Sequence, residues 1–298
     1  MKNWGRVVSL ISIVLFIFSG CGNQKQQVKQ KEQVDWPFYE IRSDDQTVGY
    51  LLGSIHVGKK EMYPFPNEIL EAIHDSSEVV SEVAFTSFDS PTTIALSQKA
   101  MAEKPHILTE LTEDEKERLS KKLASYNFQL EDLKDLNYFG LLSMLQGQYM
   151  TASDFLQGVD MNVANEVKKS KINNTGFETA AEQYQFMNEA TADVTKKASW
   201  IEDIPELSEA ITENEKLLTM YISGELEQNF SEIFQENQYE GFSEIILEKR
   251  NLNWLQKLKE KLPTQKQTFI VVGAGHLYGK SGLITLLENE DYSVIKRE

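Results

Sequence analysis

The sequence predicts an α/β protein in which helices flank a central mixed sheet and a largely helical region occupies the middle of the chain. Two observations near the ends of the chain indicate the sheet. Tyr50-Leu51-Leu52 and Thr268-Phe269-Ile270-Val271-Val272 are short apolar runs, and each is followed by glycine, as is typical of buried strands. A third observation concerns the middle: residues 193–261 carry almost no strand pattern, which favours three or four helices there.

The first half of the domain is expected to open with a β-hairpin. Residues 38–42 and 47–55 have strand-like patterns, and the turn-forming group Ser43-Asp44-Asp45-Gln46 separates them. The further elements of this half are a helix over 66–76 with proline at its start, a strand over 78–83 and helices between about 91 and 149.

The second half alternates helices and short strands. The predicted elements are a helix over 159–169, a strand over 174–178, a helix over 180–188, the helices of 193–261 with the last over 243–261, a strand over 268–273, a helix over 282–289 and a strand over 292–296. The outer parts of the chain are therefore α/β and the middle is mainly helical.

The N-terminus has the pattern of an export signal. Lys2 and Arg6 precede an apolar stretch over residues 7–18, which is too short to span a membrane as a helix. Phe18-Ser19-Gly20-Cys21 resembles the bacterial lipoprotein box, with Phe18 in place of the usual leucine. We expect residues 1–20 to be a lipoprotein signal peptide and Cys21 to carry lipid. Residues 21–35 would then tether the domain of residues 36–298 to the outer face of the cell membrane.

The charge balance bears on the partners of this chain. It has 30 basic and 46 acidic residues, and removal of Lys2 and Arg6 with the signal leaves a formal net charge of −18. Nucleic acid is not expected as a partner, because its phosphates would be repelled. Cys21 is the only cysteine, so no disulfide can form within the chain.

Histidine is scarce, and its positions indicate a site. Two of the four histidines close the same tetrapeptide form, Gly53-Ser54-Ile55-His56 and Gly273-Ala274-Gly275-His276, each after an apolar run. Each imidazole is expected just past the carboxyl end of a strand, the edge at which α/β sheets bind ligands. Two imidazoles brought together there suggest a metal ion. Alternatively, each histidine caps its strand and bonds a nearby carbonyl group.

Glu82 is the acidic candidate for the same site. In a strand over 78–83 it shares a face with Val80, so its carboxylate needs a partner. Two histidines and one glutamate, with water completing the shell, are a familiar ligand set for a divalent metal that lowers the pKa of bound water and polarises a carbonyl. In the alternative interpretation, Glu82 lies at the solvated end of its strand.

Several motifs follow one another along the chain: Gly53-Ser54-Ile55-His56, Glu82, Gly158-Val159-Asp160, Gly176-Phe177-Glu178-Thr179, Glu182-Gln183, Arg250-Asn251 with Trp254, and Gly273-Ala274-Gly275-His276-Leu277. This ordered set, spread over most of the chain from about residue 36, resembles the TraB/GumN family, which includes the Tiki metalloproteases. The resemblance implies an α/β fold related to erythromycin esterase and ChaN-like proteins. It also implies that His56, Glu82 and His276 form a catalytic metal site, with Mn²⁺ or Co²⁺ suggested and Zn²⁺ a further candidate.

The remaining polar positions of the motifs have physical roles open to them. Glu178, at the end of a strand, is expected to bind metal or to act as a general base. Arg250 is expected to clamp a substrate carboxylate or stabilise an oxyanion, and Asp160 to orient a histidine, with Asn251 in support. Alternatively, Asp160 is a helix N-cap, and Arg250 and Glu178 form a structural salt bridge with each other.

A rival motif overlaps the second histidine. Ala274-Gly275-His276-Leu277-Tyr278-Gly279-Lys280-Ser281 fits a loose Walker A form between a strand and a helix. A nucleotide site is not expected, because only 17 residues follow Ser281, the chain has an export signal, and His56 would have no role.

The export signal and the histidine and glutamate pattern, together with what the resemblance implies, predict a membrane-tethered, extracytoplasmic, metal-dependent hydrolase, a peptidase in which metal-activated water attacks a peptide amide. The first alternative is a non-catalytic lipoprotein that binds a peptide or signal molecule in the same crevice and sequesters it. The second is a purely structural envelope protein. The role of the helical middle region and the oligomeric state are not predicted.

Overall fold

The computed structural model describes residues 33–88, 90–192, 194–196, 199–234, 241–262 and 267–297. The expected signal peptide, Cys21 and residues 21–32 of the expected tether lie outside these ranges. Within them, none of the helices combines the length and the apolar character that crossing a membrane requires.

The predicted α/β class is confirmed, since a mixed six-stranded sheet lies among helices. Its strands are β1 (Phe38–Ser43), β2 (Gln46–Ser54), β4 (Glu78–Val83), β6 (Asn173–Glu178), β7 (Thr268–Gly273) and β8 (Ser293–Lys296). A separate two-stranded sheet pairs β3 (Val57–Gly58) with β5 (Leu156–Gln157). Such two-residue strands are too short to show a period, so the sequence does not predict them.

The strand order of the large sheet is β6-β4-β7-β2-β1-β8. The neighbours β6, β4, β7 and β2 are parallel, whereas β1 is antiparallel to both β2 and β8. β7 comes late in the chain but lies between β2 and β4. Every residue of β7 is buried, as expected of a central parallel strand covered on both faces.

The helices are α1 (Asn67–Asp75), α2 (Pro91–Met101), α3 (Glu113–Leu123), α4 (Tyr138–Ala152), α5 (Val159–Ser170), α6 (Ala180–Thr191), α7 (Trp200–Asp203), α8 (Leu207–Ile222), α9 (Leu226–Phe234), α10 (Arg250–Lys261) and α11 (Leu283–Glu288). Each predicted helix outside the middle region agrees with one of these within a few residues. The N-caps follow the expected chemistry. For example, the Thr112 side chain and Glu115 form the reciprocal capping box at the start of α3.

The predicted helix over 243–261 is not one regular helix. Residues Glu244–Lys249 form a π-helix, and α10 continues from Arg250. A π-helix inserts one residue into the turn and so rotates all that follows about the helix axis. The register of α10, and hence the direction of its side chains, is therefore not what α-helical periodicity over the whole segment implies.

Candidate functional site

The two Gly-x-x-His motifs lie on adjacent parallel strands. In the pairing of β2 with β7, Gly53 is opposite Val272, and Ser54 is opposite Gly273. His56 follows the end of β2, and His276 ends a short 3₁₀ turn after β7, so both histidines lie past the carboxyl ends of their strands as predicted. The strand order thus brings the two motifs side by side at one edge of the sheet, although 220 residues of chain separate the histidines.

Glu82 lies inside the protein at the same edge. Its side chain is 1% exposed, so the interpretation that it sits at a solvated strand end is wrong. Oε1 accepts the backbone N–H of Gly273 at 2.8 Å. Oε2 accepts from Gln183 Nε2 at 3.1 Å and from Arg250 Nη2 at 2.6 Å. A carboxylate removed from water in this way needs these donors to compensate for its lost hydration.

Arg250 is the centre of the site and is completely buried. Its Nε donates to Glu178 at 3.1 Å, and Nη2 donates to Glu178 at 2.5 Å and to Glu82 at 2.6 Å. Its Nη1 donates to the backbone oxygen of Ile246 and lies 3.2 Å from Nε2 of His276. A guanidinium has five N–H groups, and five acceptors surround this one. The salt bridge to Glu178, left open by the sequence, is present as a bidentate pair.

The position of Arg250 follows from the π-helix that precedes it. The change of register turns Arg250, Asn251 and Trp254 towards the carboxyl edge of the sheet, where all three contact site residues. The bond from Arg250 Nη1 to Ile246 O, at 3.2 Å, returns to the carbonyl of a π-helical residue. π-Helical turns are frequent at functional sites, and here the turn immediately precedes Arg250, the central cation.

His276 has a defined proton position. Nδ2 of Asn251 donates to the backbone oxygens of His276 and Ser281, at 3.0 and 2.8 Å, so the Oδ1 atom faces His276 Nδ1 at 2.7 Å. Nδ1 therefore carries the proton, and Nε2 is an acceptor facing Arg250. Burial, followed by the charge of Arg250, holds the pKa of His276 well below its usual value, which agrees with a neutral imidazole.

Trp254 packs the cluster from one side. Its ring lies 4.4 Å from the ring of His276 and 4.7 Å from Cζ of Arg250, and it stacks on Phe177 at 5.2 Å. Its Nε1 donates to Glu178 at 3.2 Å. An indole in this position excludes water, contributes a cation–π contact and gives Glu178 Oε2 a second donor beside Arg250 Nε.

Glu178 ends β6 and has its own environment. Burial raises the pKa of its carboxyl group, and the charge and hydrogen bonds of Arg250 oppose that rise. Burial likewise disfavours the charged form of Arg250, but Glu178 and Glu82 outweigh it and raise the Arg250 pKa, so the guanidinium stays charged.

His56 pairs with Asp160. Nδ1 of His56 lies 3.2 Å from Oδ1 of Asp160, and both side chains are buried. Burial disfavours the charged imidazole, but the interaction with Asp160 and then the charge of Glu82 outweigh it and raise the pKa of His56. Asp160 is the second residue of α5, whose N-cap is Gly158 without a side-chain bond. Asp160 therefore faces His56 and is not the N-cap.

Gly158 makes this pairing possible. A Cβ at this position would lie 1.9 Å from the backbone oxygen of Ile55 and 2.6 Å from Cα of His56. The next residue, Val159, donates its N–H to the oxygen of Ile55 at 2.8 Å. Only glycine allows the start of α5 to approach the turn after β2 this closely.

The residues expected to bind metal do not fit that role in this arrangement. Oε1 of Glu82 and Nε2 of His276 are 3.8 Å apart, but each group already accepts from other donors, and Arg250 contacts both residues. Across the described ranges, no group of three or more His, Cys, Asp or Glu side chains is placed to hold a metal ion.

A cavity of about 410 Å³ lies beside the buried cluster. Its walls come from the segment after β4, the end of β6, the start of α6 and Lys257 of α10. Several of the lining residues carry hydroxyl groups, namely Ser87, Ser90, Thr92, Thr93 and Thr179. Glu178 is also one of the lining residues, so this residue lies between the cavity and the Arg250 cluster.

Gln183 and Trp254 are site residues to which the sequence assigns no role. Both occur in the ordered motifs, but neither has a titratable side chain. A usable signal for Gln183 is its place on the buried face of α6 with Tyr184 and Met187, because a polar residue there needs a partner.

Residues 37–296 match the model of the TraB/PrgY/gumN family. The searches of curated proteins and of solved structures returned no match.

Proposed function

Because this chain belongs to the TraB/PrgY/gumN family, we propose that it is an extracytoplasmic hydrolase, tethered to the membrane by lipid on Cys21, that cleaves a peptide amide. The observation that carries the proposal is the meeting of Glu82, Glu178, Arg250 and His276 at the carboxyl edge of four parallel strands. Such a buried ionic cluster costs desolvation energy that packed apolar residues would not, which favours a functional reason for it. The carboxyl edge of a parallel sheet is also where α/β proteins bind ligands.

Within this site Glu178 is the general base of the proposed reaction. It borders the 410 Å³ cavity, where a polar peptide segment can lie against the surrounding hydroxyl groups. Burial shifts its pKa upwards, towards the range in which a carboxylate accepts a proton efficiently. A water proton would pass to Glu178, the hydroxide would attack the amide carbon, and the C–N bond would break. The proton would then move from Glu178 to the leaving amine.

Arg250 and Glu82 hold Glu178 for this role. All five N–H groups of Arg250 have acceptors, so a substrate oxyanion would have to displace one of them. Arg250 is therefore a positioning residue in this arrangement, and Glu82 fixes its other side. His56 with Asp160 forms a second acid–base pair at the neighbouring strand end. The metal-activated water that the resemblance implies is not part of this proposal, because Arg250 contacts both Glu82 and His276.

Cleavage of a peptide library by the purified full chain, followed by mass spectrometry, tests the proposal. Glu178→Gln should lower cleavage by a factor of about 10² to 10⁴, as expected when a general base is removed. Glu182→Gln is the matched control, because Glu182 lines the same cavity but bonds only the start of its own helix. Equal cleavage by the Glu178→Gln protein would contradict the proposed role.

The second candidate function is peptide binding without cleavage. The closed cluster favours it, because the Arg250 side chain has no exposed surface and no free N–H group. In that case the wild type would retain intact peptides, and Glu178→Gln would change their affinity with no product appearing. The two functions therefore differ in the same experiment.

A further inference from the structure

We propose that Arg250 is the resident cation of this site and occupies the place in which a divalent metal would be held by Glu82 and His276. The inference concerns what the site binds and holds whether or not a substrate is cleaved. It rests on the contacts of Glu82, Glu178 and His276, the side chains that would have to bind a metal ion in this place.

The acceptor groups of the cluster already form hydrogen bonds with this cation. Arg250 Nη2 bridges Glu82 and Glu178, at 2.6 and 2.5 Å, and Nη1 faces His276 Nε2 at 3.2 Å. Two carboxylates and one neutral imidazole are a ligand set that a divalent cation would accept. Here the same set surrounds a guanidinium, whose planar donors match two carboxylates without any further ion.

Glu82 also accepts from donors other than Arg250. Oε1 of Glu82 accepts the N–H of Gly273 at 2.8 Å, and Gln183 donates to Oε2 at 3.1 Å. The single lone pair of the neutral His276 ring, on Nε2, faces Arg250 Nη1 at 3.2 Å, because Nδ1 donates its proton to Oδ1 of Asn251. A metal ion on Glu82 and His276 would have to displace these donors from Glu82 and Arg250 Nη1 from His276 Nε2, and it would lie against the positive charge of Arg250, which repels it.

The fold also holds Arg250 where it is. The π-helix of Glu244–Lys249 sets its direction, the carbonyl of Ile246 accepts one of its N–H groups, and the ring of Trp254 lies 4.7 Å from its Cζ. Its side chain is completely buried, so it cannot leave the cluster without opening the core. A cation built in by packing needs no uptake from solution.

Metal content of the full chain tests the inference. The protein is loaded with Mn²⁺, Co²⁺ or Zn²⁺, desalted and measured by elemental analysis beside His276→Ala and His106→Ala. His106 is the matched control, because its Nε2 lies 3.0 Å from the backbone oxygen of Ala102 at an exposed place. We expect metal far below one ion per chain in the wild type, with no loss in His276→Ala.

One ion per chain in the wild type, retained in His106→Ala and lost in His276→Ala, would overturn the inference. A metal-induced rise in the unfolding midpoint that depends on His276 would overturn it as well, since an ion that binds the folded state stabilises it. These readouts do not use peptide cleavage, so the inference and the proposed hydrolysis can fail separately.

Arg250→Met gives an additional comparison when it folds. Without the guanidinium, Glu82, Glu178 and His276 face one another, and we expect the variant to take up metal that the wild type does not. Addition of His276→Ala should then remove that metal. About one ion per chain in both the wild type and Arg250→Met would contradict the inference.

Discussion

Oδ1 of Asn251 lies 2.7 Å from Nδ1 of His276, and this contact determines which nitrogen of the imidazole carries its proton. Asn251 is held in this orientation because its Nδ2 donates to the oxygens of His276 and Ser281. His276 therefore presents Nε2 as an acceptor to Arg250. The uncharged side-chain amide of Asn251 thus fixes which nitrogen of the imidazole faces the guanidinium.

Replacement of Asn251 should allow the His276 imidazole to adopt both tautomers. In Asn251→Ala the imidazole loses its Nδ1 acceptor, and the carbonyl oxygens of His276 and Ser281 lose a donor, so the free energy of unfolding should fall by about 1–3 kcal/mol. ¹⁵N chemical shifts of the imidazole should show a single Nδ1–H tautomer of His276 in the wild type and a mixture in the variant. Asn229→Ala, which removes only a surface bond to Glu225, is the control. An unchanged tautomer in Asn251→Ala would contradict the assignment.

Gly158→Ala should destabilise the protein through a steric clash. Its φ of −76° suits any residue, but the added Cβ would lie 1.9 Å from the oxygen of Ile55. We expect a loss of about 3 kcal/mol or more, since backbone atoms must move. Gly147→Ala is the matched control: no atom lies within 4 Å of its Cβ, and it is inside α4, so a gain of about 0.4–1 kcal/mol is expected. Urea unfolding measures both, and equal effects would rule out the clash.

Arg250→Met should cost about 3–5 kcal/mol, because two buried carboxylates lose their cation. Arg118→Met is the control at the surface, where Arg118 meets Glu202 at 2.9 Å with its side chain 39% exposed. For Arg118→Met the free energy of unfolding should fall by no more than about 1 kcal/mol. Chemical unfolding of the two variants decides the point, and a loss for Arg250→Met as small as that for Arg118→Met would mean that the cluster carries little of the stability.

The lowered pKa of His276 predicts a pH dependence of stability. Below about pH 6.5 the unfolded chain binds a proton that folded His276 does not. The contribution of His276 is therefore complete above that pH and is lost as the pH falls, by about 1.4 kcal/mol per pH unit until the folded imidazole also takes up its proton. The free energy of unfolding, measured between pH 5 and 8, should fall more steeply for the wild type than for His276→Gln. Because the raised pKa of His56 acts in both proteins, it cancels, and parallel curves would refute the prediction.

The local pattern of apolar and turn-forming residues predicts most of the helices and strands of this fold. β4 and β7 have the predicted limits, and α1, α5, α6 and α11 differ from prediction by three residues or fewer at either end. The position of His56 and His276 past the strand ends also follows from the sequence. A buried strand and the turn after it each depend on a few neighbouring residues. The small sheet of β3 with β5 and the π-helix before Arg250 depend on contacts with distant segments, and local pattern does not reveal them.

The choice of partners within the site is not local. Arg250 and Glu82 are 168 residues apart, and Arg250 and Glu178 are 72 apart. Sequence reasoning names all three and leaves open whether Arg250 faces a substrate or a carboxylate. The answer depends on the insertion of β7 between β2 and β4 and on the turn that rotates α10. Burial then decides the electrostatics, because a charge removed from water must meet its counter-charge, and only the packed chain shows which one it meets.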